Sequence, residues 1–279
     1  MPRTARWAIL LLAVMVLFVT GCREQAREQA LAEGSRLVGA GNAKGAVVIY
    51  KNLLERDAND SQARYDLAVA YLALDRPKQA EREAQQLAAG PNPPKRLPLL
   101  LGMIHVAKDE AGEAQKELNA YLSIDPDSAE AWEFLGHARA RANDWPEAVQ
   151  AYQRSLSLDP GGIKARIGLV VTRISQGLLP QARAEVDVLL AADPDNHSGL
   201  LLLAEVQAKN NDLPGAVATY GTIVAKYSND IAARYYEAFY RLVDQGASEE
   251  VERAARKLIK EFPNRREGYK LQGLLDLTR

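Results

Sequence analysis

From residue 27 onward, apolar positions recur three and four residues apart in short runs, broken at regular places by Gly, Asn, Asp and Pro. That spacing gathers each run onto one stripe of an α-helix, and strand-like alternation is scarce. The clearest stretch is Ala129 to Gly162. There Trp132, Leu135 and Gly136 share one helical stripe and Ala148, Tyr152 and Ser155 share another, so two helices are expected to face each other with small residues setting their approach. Stepping by 34 residues in both directions repeats the pattern. Starts at Arg27, Ser61, Lys95, Ala129, Ile163 and His197 place Ala46, Ala80, Ala114, Ala148, Ala182 and Ala216 at one position, where the second helix crosses the first and a larger side chain would force the two apart. The small position of the first helix holds Gly34, Ala68, Gly102, Gly136 and Ala204. The fifth repeat has Val170 there and is expected to pack more openly.

Turn chemistry follows the same register. Within repeats, Gly41-Asn42, Asp75-Arg76, Asp109-Glu110, Asn143-Asp144, Gly177 and Asn211-Asp212 stop one helix and cap the next. Between repeats, Asp125-Pro126, Asp159-Pro160 and Asp193-Pro194 do the same. The breaker cluster Gly90-Pro91-Asn92-Pro93-Pro94, followed by Pro98, delays the next helix and fits either a hinge or a rigid turn. After Asp230 one residue is added, because Pro263 closes a repeat that best begins at Ala232. Arg266 to Arg279 then supplies a single helix, which covers the open end of an array.

The order Trp132, Leu135-Gly136, Ala148, Tyr152 and Asp159-Pro160 resembles the tetratricopeptide (TPR) repeat. The resemblance covers residues 27 to 279. It implies an all-α fold, a superhelical TPR solenoid of about seven helix pairs plus a C-terminal capping helix, with repeats starting near 27, 61, 95, 129, 163, 197 and 232 and the cap at 266–279.

The first residues have a different character. Arg3 and Arg6 precede the apolar run Trp7 to Val19, too short to span a bilayer comfortably and suited to a signal-peptide core. It ends in Val19-Thr20-Gly21-Cys22, which resembles the bacterial lipobox. The expectation is a signal peptide over residues 1–21, lipidation at Cys22 and a short tether over 22–26; an uncleaved signal anchor is the alternative. Cys22 is the only cysteine, so no internal disulfide can form. The three acyl chains that the resemblance implies would anchor the chain durably, where a single chain binds reversibly. Arg23 follows Cys22 in place of the Asp that resembles an inner-membrane retention signal. Outer-membrane anchoring with the body in the periplasm is therefore expected.

Composition narrows the partners. A net charge of −1 across 279 residues offers no long-range attraction to phosphate backbones, so no nucleic-acid partner is expected. No catalytic, metal or cofactor constellation emerges. His105, His137 and His197 occupy three different positions in their repeats, and Gly39 to Gly45 lacks the Gly-Lys-Ser/Thr ending of a phosphate loop. The expectation is a protein that is not an enzyme, with no cofactor.

A second apolar stripe runs along the first helices: Tyr65, Val69 and Leu72; Leu99, Met103 and Val106; Ile167, Val171 and Ile174; then Tyr236 and Tyr240. Spacings of four then three keep each set on one face. Resemblance to TPR proteins implies that this stripe points into a concave, partner-binding groove. It equally suits packing between neighbouring helices. Glu133, His137 and Arg141 interrupt it in the fourth repeat and would give the polar contact that fixes a partner's register. The Lys and Asn set with which chaperone-binding TPR domains clamp a C-terminal carboxylate is replaced by Tyr65, Val69, Leu99 and Met103.

The lipobox, together with residues 45–54 and 60–68, is similar to the TPR-repeat lipoproteins of PEP-CTERM and exopolysaccharide systems. That resemblance implies a membrane-anchored periplasmic scaffold that contacts other envelope proteins in export or surface assembly. A type IV pilus secretin-assembly lipoprotein is the alternative within the binding class, and a glycan-binding or glycan-modifying protein the alternative outside it.

Overall fold

The computed structural model describes residues 23–90 and 92–278, so the predicted signal peptide and Cys22 lie outside the described residues. The described residues are helical throughout, without strands, and fall into two compact bodies divided between Ala142 and Asn143. The N-terminal body holds α1 (residues 23–39), α2 (Ala43–Arg56), α3 (Ser61–Ala73), α4 (Pro77–Ala89), α5 (Leu97–Ala107), α6 (Ala111–Leu122) and α7 (Ala129–Arg141). The C-terminal body holds α8 (Trp145–Leu158), α9 (Ile163–Ser175), α10 (Leu179–Ala192), α11 (His197–Lys209), α12 (Leu213–Lys226), α13 (Ile231–Gln245), α14 (Glu249–Glu261) and α15 (Arg266–Leu277). None of these helices is long and apolar enough to cross a membrane.

Each body is a run of antiparallel helices, and the punctuation is chemical. Gly41, Asp75, Asp109, Asn143, Gly177 and Asn211 all have positive φ, between 55° and 78°, at 34-residue intervals. After Gly41, Asp75, Asp109, Gly177 and Asn211 the backbone N–H of the next residue reaches back five residues, as from Asn42 to Leu37 O at 2.8 Å and from Leu178 to Arg173 O at 2.9 Å. This is the Schellman closure, which satisfies the last carbonyls of the helix and needs a left-handed residue. A Cβ added at Gly177 would meet nothing within 4 Å, so substitution there reports backbone conformation alone. Gly177→Ala is expected to lose about 1 kcal/mol and Gly177→Asn less, with Gly177→Val the worst of the three. Urea unfolding checks the order.

N-caps keep the same interval. Asp60, Ser128, Asn196 and Asp230 each accept a hydrogen bond from the backbone N–H three residues on. The place held by these caps is Pro94 in the third repeat, which has no such cap; α5 begins later, at Leu97, with Pro98 in its first turn. One core nevertheless runs through this segment, from Ala84 and Leu87 on α4 to Leu97, Leu100 and Ile104 on α5. Asp230 caps α13 so that the helix starts at Ile231, still in the 34-residue register. The extra length of the seventh repeat lies inside it, in a longer α13 closed by Gly246, rather than before Ala232.

Core packing pairs small with large. A Cβ on Gly34 would stand 2.5 Å from the Tyr50 ring, and one on Gly102 2.5 Å from Leu118 Cγ, so bare backbone is what admits these side chains. In the fifth repeat Val170 and Val186 share one core cluster and are both fully buried. Two medium side chains there replace one small and one large, and the expected looser packing does not arise at Val170.

Polar clasps tie turns to helices. Arg64 donates to Ala58 O at 2.6 Å, Trp132 Nε1 to Pro126 O at 2.9 Å and Arg166 to Pro160 O at 2.9 Å. All three hold the same position in successive or later repeats, and each bond spans six residues. Asp60 shows a second kind of clasp: Arg27 grips both its oxygens, at 2.6 and 2.8 Å, and holds the carboxyl below its usual range against the opposing effect of burial.

Candidate protein-binding surfaces

In the N-terminal body the candidate stripe divides by burial. Tyr65, Leu99 and Met103 are buried and belong to the packing of the helix stack, whereas Val69, Leu72 and Val106 are half-buried. The Tyr65 hydroxyl is buried without a hydrogen-bond partner, and burial drives its pKa well above the usual phenol value. Over the ring stands Arg96, its guanidinium carbon 4.7 Å from the centroid and its Nη2 3.6 Å from Glu130. Because an unpaired buried hydroxyl is costly, Tyr65→Phe is expected to raise stability by about 1 kcal/mol in thermal unfolding. A loss of stability would mean that the hydroxyl has a partner in solution.

The fourth-repeat candidates are polar and more open. Glu133 and His137 are half-buried with 3.9 Å between carboxylate and imidazole, and Phe134 meets the His137 ring edge-on. Arg141 is exposed and reaches Asp109 at 2.9 Å, tying the end of α7 to the turn after α5.

In the C-terminal body Ile174 is buried, Ile167 half-buried and Val171 exposed. The last two candidates behave differently. With α13 starting at Ile231, the places equivalent to Tyr65 and Val69 are Tyr235 and Phe239, and Tyr236 and Tyr240 lie one residue further round the helix. Tyr235 stacks on Phe239 at 5.9 Å, while Tyr220, Tyr236 and Tyr240 form a second set of nearly parallel rings 5.6 to 6.0 Å apart. Edge-on contacts at 5.2 Å and 5.1 Å join the two sets. Tyr220 comes from α12 and sits at the packing position shared with Tyr50 and Tyr152, which marks it in the sequence as a core residue and not as part of an aromatic surface. Its repeat position was visible, but which neighbour it would stack on was not.

Among the described residues no group of three His, Cys, Asp or Glu side chains is placed to hold a metal. What the helices present is surface: apolar and aromatic side chains edged by paired charges.

Two models described as tetratricopeptide repeat match the chain, one over residues 37–94 and 139–198 and the other over 99–163 and 169–231. The chain belongs to the tetratricopeptide-repeat family. Sequence relatives of this TPR protein include the peroxisomal targeting signal receptor of Candida glabrata, 34% identical over 84 residues, and the CTR9 homologue of Arabidopsis thaliana, 33% identical over 117. These matches cover 30% and 41% of the TPR chain but only 14% and 10% of those longer proteins. Among solved structures, the type IV pilus biogenesis factor PilW is similar with a TM-score of 0.66 at 22% identity, over 78% of this chain and 99% of PilW. Pseudomonas aeruginosa PilF gives 0.57 at 20% identity over 77% and 98%, and the Cut9–Hcn1 assembly of the APC/C gives 0.68 at 14% over 89% and 49%. At these identities the likeness is one of fold. As a TPR protein, the chain is a scaffold for protein–protein interaction.

Proposed function

We propose that this TPR protein is a lipid-anchored scaffold that faces the periplasm from the outer membrane and holds partner proteins of an envelope export or surface-assembly machine without chemistry of its own. The observation that carries the reading is the order of parts: Val19-Thr20-Gly21-Cys22 stands directly before the first repeat helix, so an anchor and a protein-binding body adjoin. The similarity of residues 45–54 and 60–68 to exopolysaccharide-system lipoproteins supports polysaccharide export as the process served. Half-buried Val69, Leu72 and Val106 in one body, and the tyrosine sets in the other, are the surfaces offered to partners.

A second reading, assembly of a type IV pilus secretin, is favoured by the fold likeness to PilW and PilF, which extends over 99% and 98% of those chains. Deletion separates the two. Loss of exported polysaccharide with normal pili supports the first reading, and loss of pilus multimers with normal polysaccharide supports the second. Cys22→Ala tests the anchor: metabolic labelling with palmitate is expected to disappear and the protein to leave the membrane fraction. A variant that stays labelled and sediments with membranes removes the lipoprotein assignment. Glycan turnover by the purified protein would overturn the non-enzymatic reading.

A further inference from the structure

We infer that the tyrosine face of α13, bordered by Glu205 of α11, is a receptor for an arginine side chain carried on a partner protein's segment. This rests on the reading of the chain as a protein-binding scaffold and names the chemistry of one of its surfaces.

The rings are arranged as a platform. Tyr220, Tyr236 and Tyr240 lie within 15° to 23° of parallel. Register explains why the platform is open. In the fifth repeat the same place as Tyr236 is Gly168, and Tyr152 of the preceding helix packs directly on that bare backbone. In the seventh repeat the glycine's place is taken by a tyrosine, which cannot enter the helix contact and instead stacks on Tyr220 with 40% of its surface exposed. Tyr240 and the exposed Val243 follow on the same stripe of α13 at helical spacing.

Glu205 gives the platform its sign. Tyr240 and Leu201 of α11 both pack against the cluster that contains Ala204, and Glu205 lies one turn beyond Leu201 on the same face. Its charge is near enough to help push the Tyr220 and Tyr240 hydroxyls upward, after the larger effect of burial. The neighbouring carboxylates are spoken for: Asp230 lies 2.8 Å from His197 and Glu237 3.0 Å from Arg241. Among the described residues, no hydrogen bond or ion pair engages Glu205. The open faces of Tyr236 and Tyr240, backed by the buried Tyr220 and beside an uncompensated carboxylate, repel anions and attract cations. A planar guanidinium can stack on the rings while pairing with the carboxylate, which an ammonium cannot do, so arginine fits better than lysine.

The test uses full-length protein in detergent and a blocked twelve-residue Ser/Leu peptide with one central arginine, compared by calorimetry with its lysine and citrulline counterparts. Citrulline keeps the planar shape and loses the charge. The arginine peptide is expected to bind about tenfold tighter than the citrulline peptide. Glu205→Gln is expected to abolish that advantage, and Tyr236→Leu to weaken both peptides together. Equal binding of arginine and citrulline peptides, or an advantage that survives Glu205→Gln, overturns the inference. So does binding of cellohexaose that is lost in Tyr236→Leu and unchanged in Glu205→Gln, which would make the platform a sugar-stacking surface. None of these outcomes bears on the deletion phenotypes that test the cellular role.

Discussion

Gly168→Ala is expected to destabilise the C-terminal body by about 2 kcal/mol, even though alanine is the better helix former by about 1 kcal/mol. The added Cβ would stand 2.5 Å from Tyr152 Cζ and 2.6 Å from Cε1. Tyr152 is 1% exposed, so its rigid ring has nowhere to retreat without moving α8 away from α9. Gly273 in α15 is the control. A Cβ there meets nothing within 4 Å, and Gly273→Ala is expected to gain about 0.5 to 1 kcal/mol. Urea unfolding followed by circular dichroism reads both. Combining Gly168→Ala with Tyr152→Leu should return part of the loss, because the two sites share one contact. If Gly168→Ala alone unfolded at or above the parent's midpoint, the close approach of α8 and α9 would not be what requires glycine.

Glu185→Ala carries the other large effect, an expected loss of about 2 to 3 kcal/mol. Glu185 on α10 receives Arg166 at 2.6 Å on one oxygen and Arg173 at 3.0 Å on the other, with side-chain exposures of only 20%, 14% and 13%. Removing the carboxylate leaves two guanidiniums of α9 facing each other with little water to screen them. Each keeps one carbonyl partner, Pro160 O for Arg166 and Gln181 O for Arg173, and neither carbonyl neutralises charge. Glu185→Gln retains acceptor oxygen and should lose less. Asp187→Ala, which removes the exposed pair with Arg183, should change stability hardly at all. Raising salt to about 1 M is expected to narrow the gap between Glu185→Ala and the parent. An unfolding midpoint for Glu185→Ala equal to that of Asp187→Ala would show that the triad contributes nothing.

The repeat was legible because its determinants are local. Positive-φ turn residues, N-caps and small residues at helix crossings each announce themselves by type and spacing, and α3, α7, α9 and α11 begin at Ser61, Ala129, Ile163 and His197 as the 34-residue period requires. The seventh repeat shows where local reasoning fails. Pro263 drew the added residue forward to Asp230, although that Asp caps α13 at its regular place. One residue rotates a helix by about 100°, so the slip put Tyr236 and Tyr240 where Tyr235 and Phe239 belong. The inner stripe was ambiguous for another reason. Tyr65, Leu99, Met103 and Ile174 have the same apolar character as Val69 and Val171, and only the packing of neighbouring helices within each body decides which are covered. Clasps from Arg64, Trp132 and Arg166 to carbonyls six residues back had no signature, since Arg and Trp at one repeat position share neither charge nor shape.

The contact between Tyr152 and Gly168 bears on how such an array can be lengthened or shortened. Tyr50 fills the space above Gly34 within its own repeat, and Tyr152 reaches across the boundary at Gly162 to the first helix of the next. A gene duplication or deletion that joins ends between Gly162 and Ile163 would therefore part the ring from its seat. A block copied or transplanted from this part of the chain keeps that contact only if it carries α8 together with α9.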